Sequence, residues 1–282
     1  MTDVLACIDG SRSAEAVCDY AAWASLRLEA PLTFLHVLDQ PRQPAADLSG
    51  TIGLGTREHL LEELASLDEK RGRVALEQGH LMLEAARERA VADGVPRPEI
   101  RQRHGDLVET LGEMEQHIRL LVIGRRGERG GSLGQHVGGH LENVIRTMHR
   151  PILVTPLRFT PVRSAMLAFD GSATTRKGVE MLAGSPLFRG LPIHLVLVGA
   201  DGGEAAAQLH RARQVLVDAG FDAPVAIRAG EVEPTLHAYQ AEHGIDLLVM
   251  GAYGHSRIRQ FLVGSTTTTM LRTSETPLLL LR

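Results

Sequence analysis

The chain reads VLACIDGS from Val4 to Ser11 and AMLAFDGS from Ala165 to Ser172. Each stretch is a short apolar run closed by Asp-Gly-Ser. A run that is apolar nearly end to end suits a strand buried on both faces, and Asp-Gly-Ser suits the turn that follows it. Further matches follow. HGDLVETL from His104 matches AGEVEPTL from Ala229, LLVIGRRG ending at Gly127 matches LLVMGAYG ending at Gly254, and RPILVTP from Arg150 matches TPLLLLR at the C-terminus. Four matches in one order mark the duplication of a whole domain, not of a small solenoid unit. The 282 residues leave room for two domains of about 140 residues each. Two prolines flank PLRFTP, so the join is placed at Pro156–Pro161, with domains over 1–156 and 157–282.

The second half is the cleaner unit. Strands are expected at Ala165–Phe169, Ile193–Val198, Ala223–Arg228, Asp246–Met250 and Leu278–Leu281. Helices are expected near Thr174–Leu182, Glu204–Ala219 and Val232–His243, with a last short one from Ser265. Gly220 and Gly244 stand where helices end. Strands alternating with helices predict an α/β fold: a parallel sheet covered by helices on both faces. The first half repeats this but carries an excess. Gln40–Gly55 is rich in Pro and Gly and reads as a loop. From Arg57 to about Ala92 there is no proline, and charged residues alternate with Leu and Ala. That is one helix of roughly 50 Å, or two broken at Gly72 or Gly79. It is either a solvated elaboration or a surface for domain or subunit packing.

Lys and Arg total 30 against 34 Asp and Glu, a formal charge of -4, and this balance argues against bulk nucleic-acid binding. Cys7 and Cys18 are the only cysteines and fit no metal or redox spacing, so they read as small buried side chains in a reducing compartment. No run reaches 18 apolar residues, and MTDVLACIDG lacks the pattern of a signal peptide. The expectation is a soluble, cytoplasmic protein with no membrane partner.

GAYGHSRIRQFLVGSTTTTM, Gly251–Met270, holds the candidate binding chemistry. Gly251 follows a buried strand, where a ligand can approach the backbone of an open α/β sheet. Gly254 can turn the chain. Gly264, Ser265 and Thr266 open a helix whose unpaired N–H groups and dipole favour an anion, and polyphosphate is the natural guest. The P-loop needs a Lys before its hydroxyl residue, and the dinucleotide fingerprint needs its glycines after the first strand. Neither is present, so a third arrangement is indicated.

These residues resemble the universal stress protein family in its tandem two-domain form. The nucleotide-binding branch carries G-x2-G-x9-G-Ser/Thr, which Gly251, Gly254, Gly264 and Ser265 match in full. The resemblance implies a sheet order of 3-2-1-4-5 in each domain. It implies that Asp170, with Gly171 and Ser172, faces the ribose and adenine or holds Mg2+, and that the backbone at Val198 contacts adenine. His255 and Arg257 lie in the loop within reach of phosphates. The first domain keeps Asp9, Gly124 and Gly127, but Gly138 comes one residue late and Gly139 replaces the hydroxyl, so its site reads as degenerate. The fifth strand is an edge by this analogy, and Ile152–Thr155 is expected to face Leu278–Leu281 across a pseudo-two-fold. A homodimer of such pairs is a further expectation.

No HExxH, G-x-S-x-G or paired-carboxylate spacing appears, and the 13 histidines are scattered. The expected function is therefore ATP or adenine-nucleotide binding in stress response or signalling, with at most slow ATPase activity and no assigned catalytic residue. The alternative from another class is a structural or interaction protein of the same fold that binds nothing small. A metabolic enzyme on this fold is the weakest reading.

Overall fold

The computed structural model describes residues 2–38, 54–125, 139–200, 202–252 and 265–282. The first half runs β1 (Asp3–Cys7), α1 (Ala14–Leu28), β2 (Leu32–Leu38), α2 (Leu54–Ala92), β3 (Glu99–His104), α3 (Leu107–Met114), β4 (Ile118–Gly124), α4 (Gly139–Thr147) and β5 (Ile152–Thr155). The second runs β6 (Ala165–Ala168), α5 (Ala173–Gly184), β7 (Ile193–Val198), α6 (Gly203–Asp218), β8 (Val225–Arg228), α7 (Val232–His243), β9 (Leu247–Gly251), α8 (Ser265–Thr273) and β10 (Leu278–Leu281). Each half is a doubly wound unit with strand order 3-2-1-4-5 and parallel pairing throughout.

The two sheets are one. β10 pairs with β5 in antiparallel register, Leu278 opposite Val154, Leu279 opposite Leu153 and Leu280 opposite Ile152, which makes a ten-stranded sheet. An apolar edge strand needs a partner for its backbone groups and cover for its side chains. All four residues of each fifth strand are buried here. Because the pairing is antiparallel, the carboxyl ends of the strands point to opposite edges of the sheet in the two halves. α1, α2, α5 and α6 contribute to the apolar layer on one face, and α3, α4, α7 and α8 to the layer on the other.

Side chains reinforce the seam. Arg282 donates from Nε to the Met148 carbonyl and from Nη2 to the Arg146 carbonyl (2.7 Å), at the end of α4. Arg125 donates to the carbonyl of Ser274, just past α8. Both guanidiniums meet the electronegative end of a helix in the other half. The segment between the halves is fixed by α1. The Tyr20 hydroxyl donates to the Thr160 carbonyl (3.3 Å) and accepts from its N–H (3.1 Å), while the ring packs edge-on to Phe159 at 4.7 Å.

The long segment of the first half is a single helix of 39 residues. Neither Gly72 nor Gly79 breaks it. A Cβ at Gly79 would lie 2.3 Å from Gln102 Nε2 and 2.6 Å from His36 Cδ2, so this glycine lets α2 close onto β2 and β3. Cys7 and Cys18 are free thiols, each pushed up to about 12 chiefly by burial.

Two predictions follow from this packing. Thr33 Oγ1 and Thr155 Oγ1 are buried in β2 and β5 without a hydrogen-bond partner. Thr33→Val and Thr155→Val keep the shape and remove an orphaned hydroxyl, so each is expected to stabilise the fold by about 1 kcal/mol in chemical denaturation. His194 Nδ1 lies 2.9 Å from the Tyr239 hydroxyl, and its pKa is lowered by burial first and by His243 second, against Asp222. The unfolded imidazole therefore takes up a proton that the folded one resists. Stability is expected to fall as pH drops below about 6.5, and His194→Gln to flatten that dependence in melting curves at several pH values.

Candidate functional site

In the second half the strand order reverses between β6 and β9, and in open α/β sheets ligands bind beyond the carboxyl ends of the strands at such a point. Asp170 lies two residues past β6 and is exposed. Its Oδ1 accepts from the Ser172 N–H (2.9 Å) and from the Thr175 hydroxyl (2.8 Å). Ser172 in turn accepts from the Thr175 N–H (3.2 Å) as the N-cap of α5. The Asp-Gly-Ser of the sequence is thus an aspartate turn feeding a helix cap. Gly171 sits in it at φ +74°, where a side chain would be strained. The first half builds the same turn: the Ser11 N–H donates to Asp9 Oδ1 at 3.1 Å.

Gly251 ends β9, and Ala252 donates its N–H to the Leu281 carbonyl at 2.9 Å. α8 begins at Ser265, and the Thr267 hydroxyl donates to the Ala252 carbonyl at 3.1 Å, in a buried bond. The first turn of α8 is therefore pinned beside the end of β9, with Thr266 half-buried. Val198 ends β7 half-buried, and the next residue, Gly199, has no atom of the described residues within 4 Å of where a Cβ would be. Asp170, Gly171, Ser172, Val198, Gly251 and the start of α8 thus all stand at the carboxyl edge of the same sheet. Gly254, His255, Arg257 and Gly264 lie outside the described residues, as do Gly127 and Gly138 of the first half. Two contributors were not singled out in the sequence: Thr175, which holds Asp170, and Thr267, which anchors α8. Their position inside a Thr-rich helix turn was the available signal.

The two halves differ at the strand-end glycine. A Cβ on Gly124 would lie 2.5 Å from Ser13 Oγ and 3.2 Å from Ser13 Cβ. At Gly251 the nearest atom is Thr174 Cγ2 at 3.4 Å, an ordinary contact. Gly124 is thus needed for α1 to close on β4, and the following Arg125 is turned to the Ser274 carbonyl of the other half. Gly139 opens α4. Among the described residues no group of three or more His, Cys, Asp or Glu is arranged to hold a metal ion.

The profile of the Universal stress protein family matches residues 1–156 and again 161–282. The chain belongs to the universal stress protein family. Universal stress protein Slr1230 of Synechocystis sp. is 37% identical over 287 aligned residues, spanning 100% of both chains, so the tandem arrangement is shared along the whole length. Among solved structures, a universal stress protein from Archaeoglobus fulgidus aligns with a TM-score of 0.68 at 18% identity, covering 99% of this chain and 95% of that one. A functionally unknown protein from Pseudomonas aeruginosa aligns with a TM-score of 0.62 at 14% identity, covering 100% and 92%. At those identities the two structures speak to the fold alone. No helix among the described residues is long and apolar enough to cross a membrane.

The unequal glycines give a test of this tandem universal stress fold. Gly124→Ala is expected to cost about 1–3 kcal/mol through overpacking against Ser13. Gly251→Ala is expected to cost clearly less. Thermal or chemical denaturation of the two variants compares them directly.

Proposed function

We propose that the second universal stress domain binds an adenine nucleotide, ATP in the first instance, with its phosphates on the first turn of α8. The observation that carries this is the Thr267–Ala252 bond, which sets the start of α8 beside the end of β9. The G-x2-G-x9-G-Ser run, Gly251 to Ser265, leads straight into that turn. The unpaired N–H groups of Ser265 and Thr266 would serve phosphate oxygens, and their hydroxyls would add donors. Gly254 and Gly264 would let the backbone approach, and His255 and Arg257 would offer charge to the phosphates. Val198 and the open space at Gly199 would take the adenine edge. Asp170, with Gly171 and Ser172, would face the ribose or hold Mg2+. A magnesium bound largely by substrate phosphates needs only one or two carboxylates, and a lone Asp170 fits that requirement.

The site is read as one that binds, with at most slow turnover; among the described residues none is placed as a catalytic base. The role that fits is a nucleotide-dependent stress or signalling module in the cytoplasm, whose output is a change of packing or partner. A structural reading is favoured for the first domain. There, Gly124 is occupied by the close approach of Ser13, and Arg125 is committed to the opposite half. Asp9, Gly127, Gly138 and Gly139 would then be remnants of a site.

Titration calorimetry with ATP tests the assignment. Gly264→Val is expected to remove most binding, because it places a branched side chain where phosphates approach. Ser265→Ala should weaken binding about tenfold to a hundredfold, the worth of one hydrogen bond to a charged group. Asp170→Ala should lose more in the presence of Mg2+ than in EDTA. Undiminished affinity in both Gly264→Val and Ser265→Ala would sink the phosphate assignment.

A further inference from the structure

α2 is far longer than the sheet it covers. Its contact with the strands begins at Leu76, whose carbonyl accepts from Gln102 Nε2 at 3.2 Å, and continues at Gly79, beyond which Leu83, Ala86 and Ala90 face the core. Before Leu76 the helix leaves the body. Residues 63–78 are exposed apart from half-buried Ala75, and the run from Leu54 to Ala75 is an arm about 33 Å long. Such an arm would ordinarily be polar all round. This one is not: Leu64, Leu67, Val74 and Leu81 are 48%, 49%, 53% and 61% exposed.

Their spacing is informative. Leu67, Val74 and Leu81 are seven apart, and Leu64 is three before Leu67. At about 100° per residue, Leu67, Val74 and Leu81 fall in one narrow stripe, roughly opposite the face carrying Gly79, Leu83, Ala86 and Ala90. The stripe is therefore not an overhang of the core-facing side, and α2 cannot turn it toward its own sheet. A seven-residue apolar repeat is complementary to another helix with the same repeat.

We infer that the stripe is the contact surface for a second copy of this chain, formed by two α2 arms packed antiparallel. Charge decides the direction. In a parallel pair Arg71, which lies on the stripe, would face the Arg71 of the other copy, and Glu63 would flank Asp68. In an antiparallel pair with its two-fold at Gly72–Arg73, Leu64 packs against Leu81 of the second copy, and the stem of Arg71 lies along Val74 while its head stays paired with Asp68 at 3.6 Å. Lys70 then meets Glu77 of the second copy, twice by symmetry. The one like-charged flank, Glu63 with Glu84, is eased because Glu84 is already paired with Arg87. This inference stands apart from the nucleotide reading, because the arm carries none of the proposed site residues.

Sedimentation of the full chain at tens of micromolar is the test. The wild type is expected near twice its 30.6 kDa. Leu67→Glu with Val74→Glu should sediment at 30.6 kDa with unchanged circular dichroism and melting, since these side chains support nothing in their own body. Lys70→Glu should weaken the dimer about fivefold, and adding Glu77→Lys should restore it. A monomeric wild type, a dimer indifferent to the double substitution, or an arm found occupied by a different protein would each overturn the inference. Failure of the charge swap to restore association would overturn the antiparallel pairing.

Discussion

The antiparallel pairing of β5 with β10 is the constraint on which the rest depends. A doubly wound unit of this order ends in an apolar fifth strand that cannot be left open to water. Two copies in one chain solve this internally: Ile152–Leu153–Val154 lie opposite Leu280–Leu279–Leu278, and the sheet runs unbroken through ten strands. That pairing orients the two halves. It sends the carboxyl ends of the two sets of strands to opposite edges, so the two domains cannot share one crevice. It also brings Arg282 to the end of α4 and Arg125 to the end of α8.

The duplicated halves have since taken different work from the same geometry. The aspartate turn after the first strand is kept in both, at Asp9 and Asp170. The glycine after the fourth strand is kept in both, but for different neighbours. Gly124 makes room for Ser13 of its own domain, whereas Gly251 borders Thr174 at ordinary contact distance. The same glycine is thus a packing requirement in one half and meets only ordinary contacts among the described residues in the other. The insertion that became α2 gave the first domain a surface that the second lacks.

Much of the architecture was legible in the linear order of motifs. The repeated Asp-Gly-Ser follows the first strand of each half, the first glycine of each glycine-rich run ends the fourth strand, and the terminal apolar run is the fifth strand. Element bounds moved only slightly: β6 stops at Ala168 rather than Phe169, β8 begins at Val225 rather than Ala223, and β9 runs on to Gly251. Glycine content left open a break at Gly72 or Gly79, and the structure has none, because tertiary contact with Gln102 and His36 outweighs the local helix cost of Gly79. Thr175 and Thr267 went unnoticed because a hydroxyl inside a helical run looks alike whether it faces solvent or a carbonyl.

The sequence by itself determined the duplication, the α/β class, the glycine-rich run into the last helix and the family to which the chain belongs. The first three follow from periodicity and spacing, which are local properties of a chain, and the family from the resemblance those motifs carry. The family resemblance already has the two fifth strands face each other; only the tertiary structure decided that they pair in antiparallel register as one sheet, that Gly124 packs against Ser13 while Gly251 does not, and that the stripe on α2 faces away from its own core. Those are relations between residues far apart in sequence, and they depend on distances and directions that the order of residues does not encode.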